Sequence, residues 1–356
     1  MAEEPSRGPR RAGGPTGLLF LAGLLSSLLA SPAGGADLLV ILNKSDNTAS
    51  ILDAKTGVTR ATVPVGKAPH EAEVLADGKT AAVSNYGTRE EAGRTLTLID
   101  IDKGVALATV ELPEGARPHG LKALSDGRLL VTAEGLKELL IVDPRAGRVA
   151  ARIPTERQTS HMVAADAEGK RAYVANIGSG SVTVVDLAQK KVVKDIPTGE
   201  GAEGIAITPD GREVWVVNRA ADTVSIVNTK TLEIAATIRV AKFPIRVKIT
   251  PDGRRALVSC ASSGDVVVLE TASRKEIQRI SIDREAVSGS ESRLFSDRFG
   301  KSPVPVGLLI APDGKRAWVA STNADIVSVI DLDRLAVVGR LTAGKEPDGL
   351  AGSFAR

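Results

Sequence analysis

The chain has one cysteine, Cys260, so no internal disulfide can staple it, and the residue reads as a small buried hydrophobe. Aromatic residues make up only 3% of the 356 positions. The core must therefore be Val, Ile, Leu and Ala, a mix that suits β-strands. The same shortage argues against a stacking platform for single-stranded nucleic acid. Neither charge sign dominates: 46 basic residues face 43 acidic ones, for a formal net charge of +3. That balance gives no footprint for a nucleic-acid or membrane-surface partner. No nucleophile elbow, phosphate loop or closely spaced Cys/His cluster occurs, and Gly178-Ser179-Gly180 reads as a turn between strands.

One long apolar run is present, Gly17 to Ala30. It is shorter than the ~20 residues that span a bilayer. Arg7, Arg10 and Arg11 precede it, and small residues ending in Gly34-Gly35-Ala36 follow. This is the pattern of a secretory signal, so residues 1–36 are expected to be a signal peptide cleaved before Asp37. Retention of the segment as an N-terminal anchor stays open. The expected location is periplasmic or extracellular, with no membrane span after signal removal.

The rest of the chain, 37–356, is repetitive. Asp-Gly followed by Lys or Arg recurs at Asp77, Asp126, Asp210, Asp252 and Asp313, with Glu168-Gly169-Lys170 as a sixth copy. The commonest spacing is 42 residues, the length of a four-stranded propeller blade. Asp-Gly between alternating apolar runs is a hairpin signal, because glycine takes positive φ at little cost. Strand a precedes each turn and strand b follows it, and strands c and d complete the blade. Strand b occurs seven times, ending at Asn43, Asn85, Ala133, Asn176, Asn218, Cys260 and Ser321. The expected fold is an all-β, seven-bladed β-propeller of four-stranded antiparallel blades, in a single domain. The segment 37–356 begins on a strand b and finishes on a spare strand a at Pro347-Asp348-Gly349-Leu350-Ala351. One blade should therefore combine both ends and close the ring without open edges.

Tyr173-Val174-Ala175-Asn176 and, more loosely, Trp215-Val216-Val217-Asn218 end their strands b. On these residues the chain resembles the YVTN-repeat β-propellers over nearly all of 37–354. The resemblance implies an exported binding protein. More distantly the ring is similar to lactonase-type propellers and to the propeller subunits of quinoprotein dehydrogenases, with no motif that assigns it to either. Tyr173, Trp215 and Trp318 share one repeat position, held in other blades by Val40, Ala82, Leu130 and Leu257, which marks them as packing residues.

The three histidines, His70, His119 and His161, each lie seven residues before a turn residue. They occupy one structural position, the start of strand a. Other blades put Glu203, Ile245, Val306 and Asp348 there. Since strand a lines the channel, these side chains should ring its top mouth. The candidate ligand-binding residues are His70, His119, His161, Glu203, Arg246 and Asp348. Imidazoles suit a divalent transition metal, with His70, His119 and His161 as candidate ligands, or acid–base hydrolysis. Three histidines in register are equally what turn chemistry inherited from one ancestral repeat would leave. Two insertions, Tyr86 to Arg94 and Ile282 to Pro305, lengthen loops on the same face, where binding usually resides. The longer one carries Leu294, Phe295 and Phe299 and reads either as a lid or as a plain excursion. Basic residues on that face would favour an anionic ligand. The turns on the opposite face are basic too, and basic side chains on both faces read rather as ordinary solubility.

The expected function is an exported binding or scaffold protein of the cell envelope, taking a small-molecule or protein ligand at the top face. The alternatives are a lactonase-like hydrolase and a metal-binding or redox-accessory propeller. The sequence leaves open the ligand, the metal, catalysis and the oligomeric state.

Overall fold

The structure is a computed structural model that describes residues 36–282 and 296–355. Residues 1–35 of the expected leader and residues 283–295 of the longer insertion lie outside them. Seven four-stranded antiparallel sheets form the blades of a propeller. The strands called a are Pro347–Ser353, Pro69–Val74, Pro118–Ala123, Ser160–Ala165, Ala202–Ile207, Pro244–Ile249 and Pro305–Ile310, in blades 1 to 7. They contact one another around the ring in that order. In blade 1 the C-terminal strand a pairs with Leu38–Asn43, followed outward by Thr48–Asp53 and Thr59–Pro64. The ring is thus closed by the first and last strands.

The blades are alike because their local chemistry repeats. Each Asp-Gly turn has its glycine at positive φ, and the aspartate Oδ1 accepts the amide two residues on, as in Asp210 with Arg212. Asn43, Asn85, Asn176 and Asn218 end their strands b buried, with Nδ2 donating to hydroxyls of strand c. Asn85, for example, donates to Thr95 and Thr97 at 2.9 and 3.0 Å. A buried amide so satisfied costs little and fixes the register of b on c. Strand b is the most buried strand, and apolar clusters fill the space between adjacent blades. Trp215, Tyr173 and Trp318 are 0, 1 and 2% exposed within these clusters, and Cys260 is fully buried. Among the described residues no helix is long and apolar enough to cross a membrane.

Two features of strand a shape the channel. The residue before each strand, Glu346, Ala68, Arg117, Thr159, Gly201, Phe243 or Val304, has positive φ, which turns the chain sharply from the outer strand to the innermost one. Each strand then carries a bulge against strand b, as between Pro69↔Asn85 and Ala72↔Val83. The extra residue breaks the in–out alternation. Two consecutive side chains per blade therefore turn toward the channel.

The second of these positions holds Gly349, Glu71, Gly120, Met162, Gly204, Arg246 and Gly307 in blades 1 to 7. Glycine alternates with a large residue because a Cβ on each glycine would strike the next blade. At Gly204 it would lie 2.3 Å from the Ile245 oxygen, and at Gly349 2.4 Å from the His70 oxygen. Three large side chains, Glu71, Met162 and Arg246, thus stand at this second position.

Candidate functional site

The first inward position of strand a holds the arc expected from the sequence. The structure brings the three imidazoles together: His70 and His119 have ring centroids 4.7 Å apart, edge to face, and His119 and His161 are 3.6 Å apart. Asp348 flanks His70, with 3.5 Å between its Oδ2 and Nδ1, and Glu203 flanks His161, with 3.5 Å between its Oε1 and Nε2. His119, His161, Glu203, Arg246 and Asp348 are each under 8% exposed. Ile245 and Val306 form the apolar remainder of the rim, packed against Phe299 and Phe243. Among the described residues of the longer insertion, Phe299 and Val304 pack at the mouth.

A second ring went unread in the sequence. The residue after Asn43, Asn85, Ala133 or Asn218 points into the same space: Lys44, Tyr86, Glu134 and Arg219 in blades 1, 2, 3 and 5. Lys44 Nζ lies 3.0 Å from His70 Nε2 and 3.2 Å from Asp348 Oδ2. Tyr86 stacks on His70 with centroids 4.7 Å apart and donates to Glu134 Oε2 at 2.7 Å. Glu134, at the start of a short helical turn, Glu134–Leu136, meets His161 Nδ1 through Oε1. Arg219 donates to Glu203 at 2.8 Å. The signal was available as a fixed offset from the end of strand b, the same kind of register that revealed the histidines. The Tyr86–Arg94 insertion is a lengthened hairpin, with strands Thr80–Gly87 and Ala92–Asp100, and it presents Tyr86 and Arg89 at the mouth.

Arg246 crosses the neck. Its guanidinium donates to Glu203 at 3.2 Å and to Glu71, which belongs to blade 2 on the other side. Below it, Glu71, Glu73, Lys122, Arg246 and Lys248 contribute to a chamber of about 370 Å³. Above the neck, a cleft of about 750 Å³ is lined by Lys44, Lys67, His70, Tyr86, Arg89 and Arg117 among others. The Arg117 guanidinium sits 5.4 Å above the centre of the Tyr86 ring.

These contacts set distinct protonation states. Burial, aided by the Lys44 ammonium, pulls His70 down to about 3. Burial and the two neighbouring imidazoles hold His119 well below the ordinary histidine value. Burial also disfavours a charged His161, but the carboxylates of Glu134 and Glu203 outweigh it and raise its pKa. Burial would raise Glu203, yet His161, Arg219 and Arg246 hold it at about 2. The arc is therefore two neutral imidazoles beside one that favours the imidazolium, not three equivalent bases.

A YNCE-like beta-propeller family model matches residues 125–290. No curated protein matches the sequence. Solved structures with this fold include the Kuenenia stuttgartiensis hydrazine synthase, with a TM-score of 0.66, 20% identity, and coverage of 79% of this chain and 88% of that one. A functionally unknown protein from Desulfotomaculum acetoxidans DSM 771 has a TM-score of 0.72 at 13% identity, covering 90% and 99%. The dihydro-heme d1 dehydrogenase NirN in complex with DHE has a TM-score of 0.64 at 16% identity, covering 92% and 78%. At these identities the likeness is one of fold.

Proposed function

We propose that this propeller is an exported binding protein of the cell envelope that takes a small anionic organic ligand in the cleft at its top mouth. The cleft over blades 1 to 3 carries this reading. Its volume of about 750 Å³ falls within the ~300–1,000 Å³ of ligand pockets. The Tyr86–His70 stack offers an apolar wall, and Lys44, Lys67, Arg89 and Arg117 surround it against Glu346. A planar carboxylate could lie against the rings while its charge meets Arg117 and Arg89. A lactonase-like reading would need a general base facing that cleft. Of the three imidazoles only His70 lines it, and with its pKa at about 3 it is a poor base at neutral pH.

A thermal-shift screen of aromatic and aliphatic carboxylates tests the proposal. At least one should raise Tm, and Arg117→Ala should weaken that ligand about tenfold or more, the effect of losing one charge-assisted hydrogen bond. A panel with no stabilising member, or a hit that binds Arg117→Ala undiminished, would overturn it. Export rests on the N-terminal segment. Protein purified from its native cells should begin within a few residues of Asp37 by N-terminal sequencing. Cytoplasmic protein with Met1 intact would remove the envelope from the proposal.

A further inference from the structure

We propose that the neck of the channel holds one divalent transition-metal ion, ligated by His119, Glu134 and His161. One ligating atom from each residue lies within 4.8 Å of those of the other two. Ligands at ~2.0–2.2 Å around a tetrahedral ion sit roughly 3.4 Å apart, so side-chain rotations of about 1 Å would close the site. The donors come from three fixed points of the scaffold. His119 and His161 stand just after the positive-φ turns of blades 3 and 4, and Glu134 opens the turn that follows strand b of blade 3.

Three further observations favour an ion. His119 Nδ1 is buried without a hydrogen-bond partner, and His161 Nε2, in a ring 3.6 Å away, has only the long 3.5 Å contact to Glu203. Buried polar atoms seldom stay unpaired, and a ligated cation is one way to satisfy them. The Tyr86 hydroxyl holds Glu134 through Oε2, as an outer partner orients a metal-bound carboxylate. The charges also lean the right way: the neck carries four carboxylates, Glu71, Glu134, Glu203 and Asp348, against three fixed cations, Lys44, Arg219 and Arg246. With His161 in the neutral form that ligation requires, it is short of positive charge, and a bound cation would take the place of the imidazolium proton.

His70 is not part of this set, although it shares the repeat position. The Lys44 ammonium lies 3.0 Å from its Nε2, and a second cation there would be repelled. Two imidazoles and a carboxylate suit Zn²⁺ and leave a fourth position for water or a small ligand. The inference does not depend on the cleft above, whose charged residues, such as Arg117, are not ligands.

The test uses the full chain without a His-tag, freed of metal by a chelator, dialysed, and titrated with Zn²⁺ alone. We expect one equivalent per chain, and one equivalent of Co²⁺ giving the visible absorption of a four-coordinate site. His119→Ala and Glu134→Gln should each weaken Zn²⁺ by more than the about 10–100-fold typical of losing an outer partner. His70→Ala and Arg117→Ala should stay within about threefold. Glu134→Gln keeps the shape of the side chain and an acceptor for Tyr86, so it guards against loss of fold in the histidine variant. Absence of stoichiometric Zn²⁺ and Co²⁺ binding overturns the inference, as does a loss in His70→Ala equal to that in His119→Ala. Arg117→Ala separates the two proposals, since it should weaken carboxylate binding about tenfold or more and spare Zn²⁺.

Discussion

Deleting residues 347–356 should lower Tm by well over 10 °C or prevent folding. The deletion strips the whole of strand a, Pro347–Ser353, from blade 1, and Leu38–Asn43 loses its inner partner. All six residues of Leu38–Asn43 are buried in the closed ring, so an apolar strand gains a free edge. The loss extends to both neighbours, because the missing strand also packs against Pro69–Val74 and Pro305–Ile310. It removes the Asp348 carboxylate from Lys44 as well. Thermal unfolding followed by circular dichroism checks it, and a synthetic 347–356 peptide added in trans should restore part of the loss. A truncated protein melting within about 3 °C of the intact one, no more than ~1.5 kcal/mol for a chain this size, would mean that the ring does not need its seam.

Arg246→Met should cost about 3 kcal/mol. Removing one partner of a buried ion pair typically costs ~3–5 kcal/mol, because a charge is left buried without compensation. Here the orphan is Glu71, since Glu203 keeps Arg219 and His161. Glu71 also borders the lower chamber, where water can reach it, which favours the low end of the range. At roughly 2 °C per kcal/mol the Tm should fall by about 6 °C. The double variant Arg246→Met with Glu71→Gln should recover most of that, because the uncompensated charge is gone. A fall under about 2 °C, or no recovery in the double variant, would show that the guanidinium is not what holds the neck.

The fold was legible because each blade writes its turn in the same letters. Asp77, Asp126, Asp210, Asp252 and Asp313 mark it. The offset between the first strand b and the last strand a told where the ring closes. Half of the site was legible by the same logic, since His70, His119 and His161 keep one distance from those turns. Lys44, Tyr86, Glu134 and Arg219 keep an equally fixed place after strand b, but they are four different residue types, so no single letter draws the eye to the position. Glu71 was hidden for another reason. Strict alternation in a strand puts neighbours on opposite faces, and only the bulge between Pro69 and Ala72 lets His70 and Glu71 both look inward. The protonation states were not legible at all, because they follow from which carboxylate meets which imidazole, and that is a matter of tenths of a nanometre.

The small–large sequence at the neck also bears on the number of blades. A two-letter pattern closes without fault only on an even ring. Seven is odd, so one like pair must meet, and it is Gly307 beside Gly349, next to the blade that holds both described ends of the chain. A Cβ on Gly307 would lie 1.9 Å from the Asp348 oxygen, so even this like pair is closely apposed. The unit that copies cleanly at the neck is therefore a pair of blades, one small and one large. Duplication of a single blade elsewhere would set two large side chains, or a second pair of glycines, side by side. In a ring of this kind parity and packing constrain each other, and here the odd pair falls beside the closing blade.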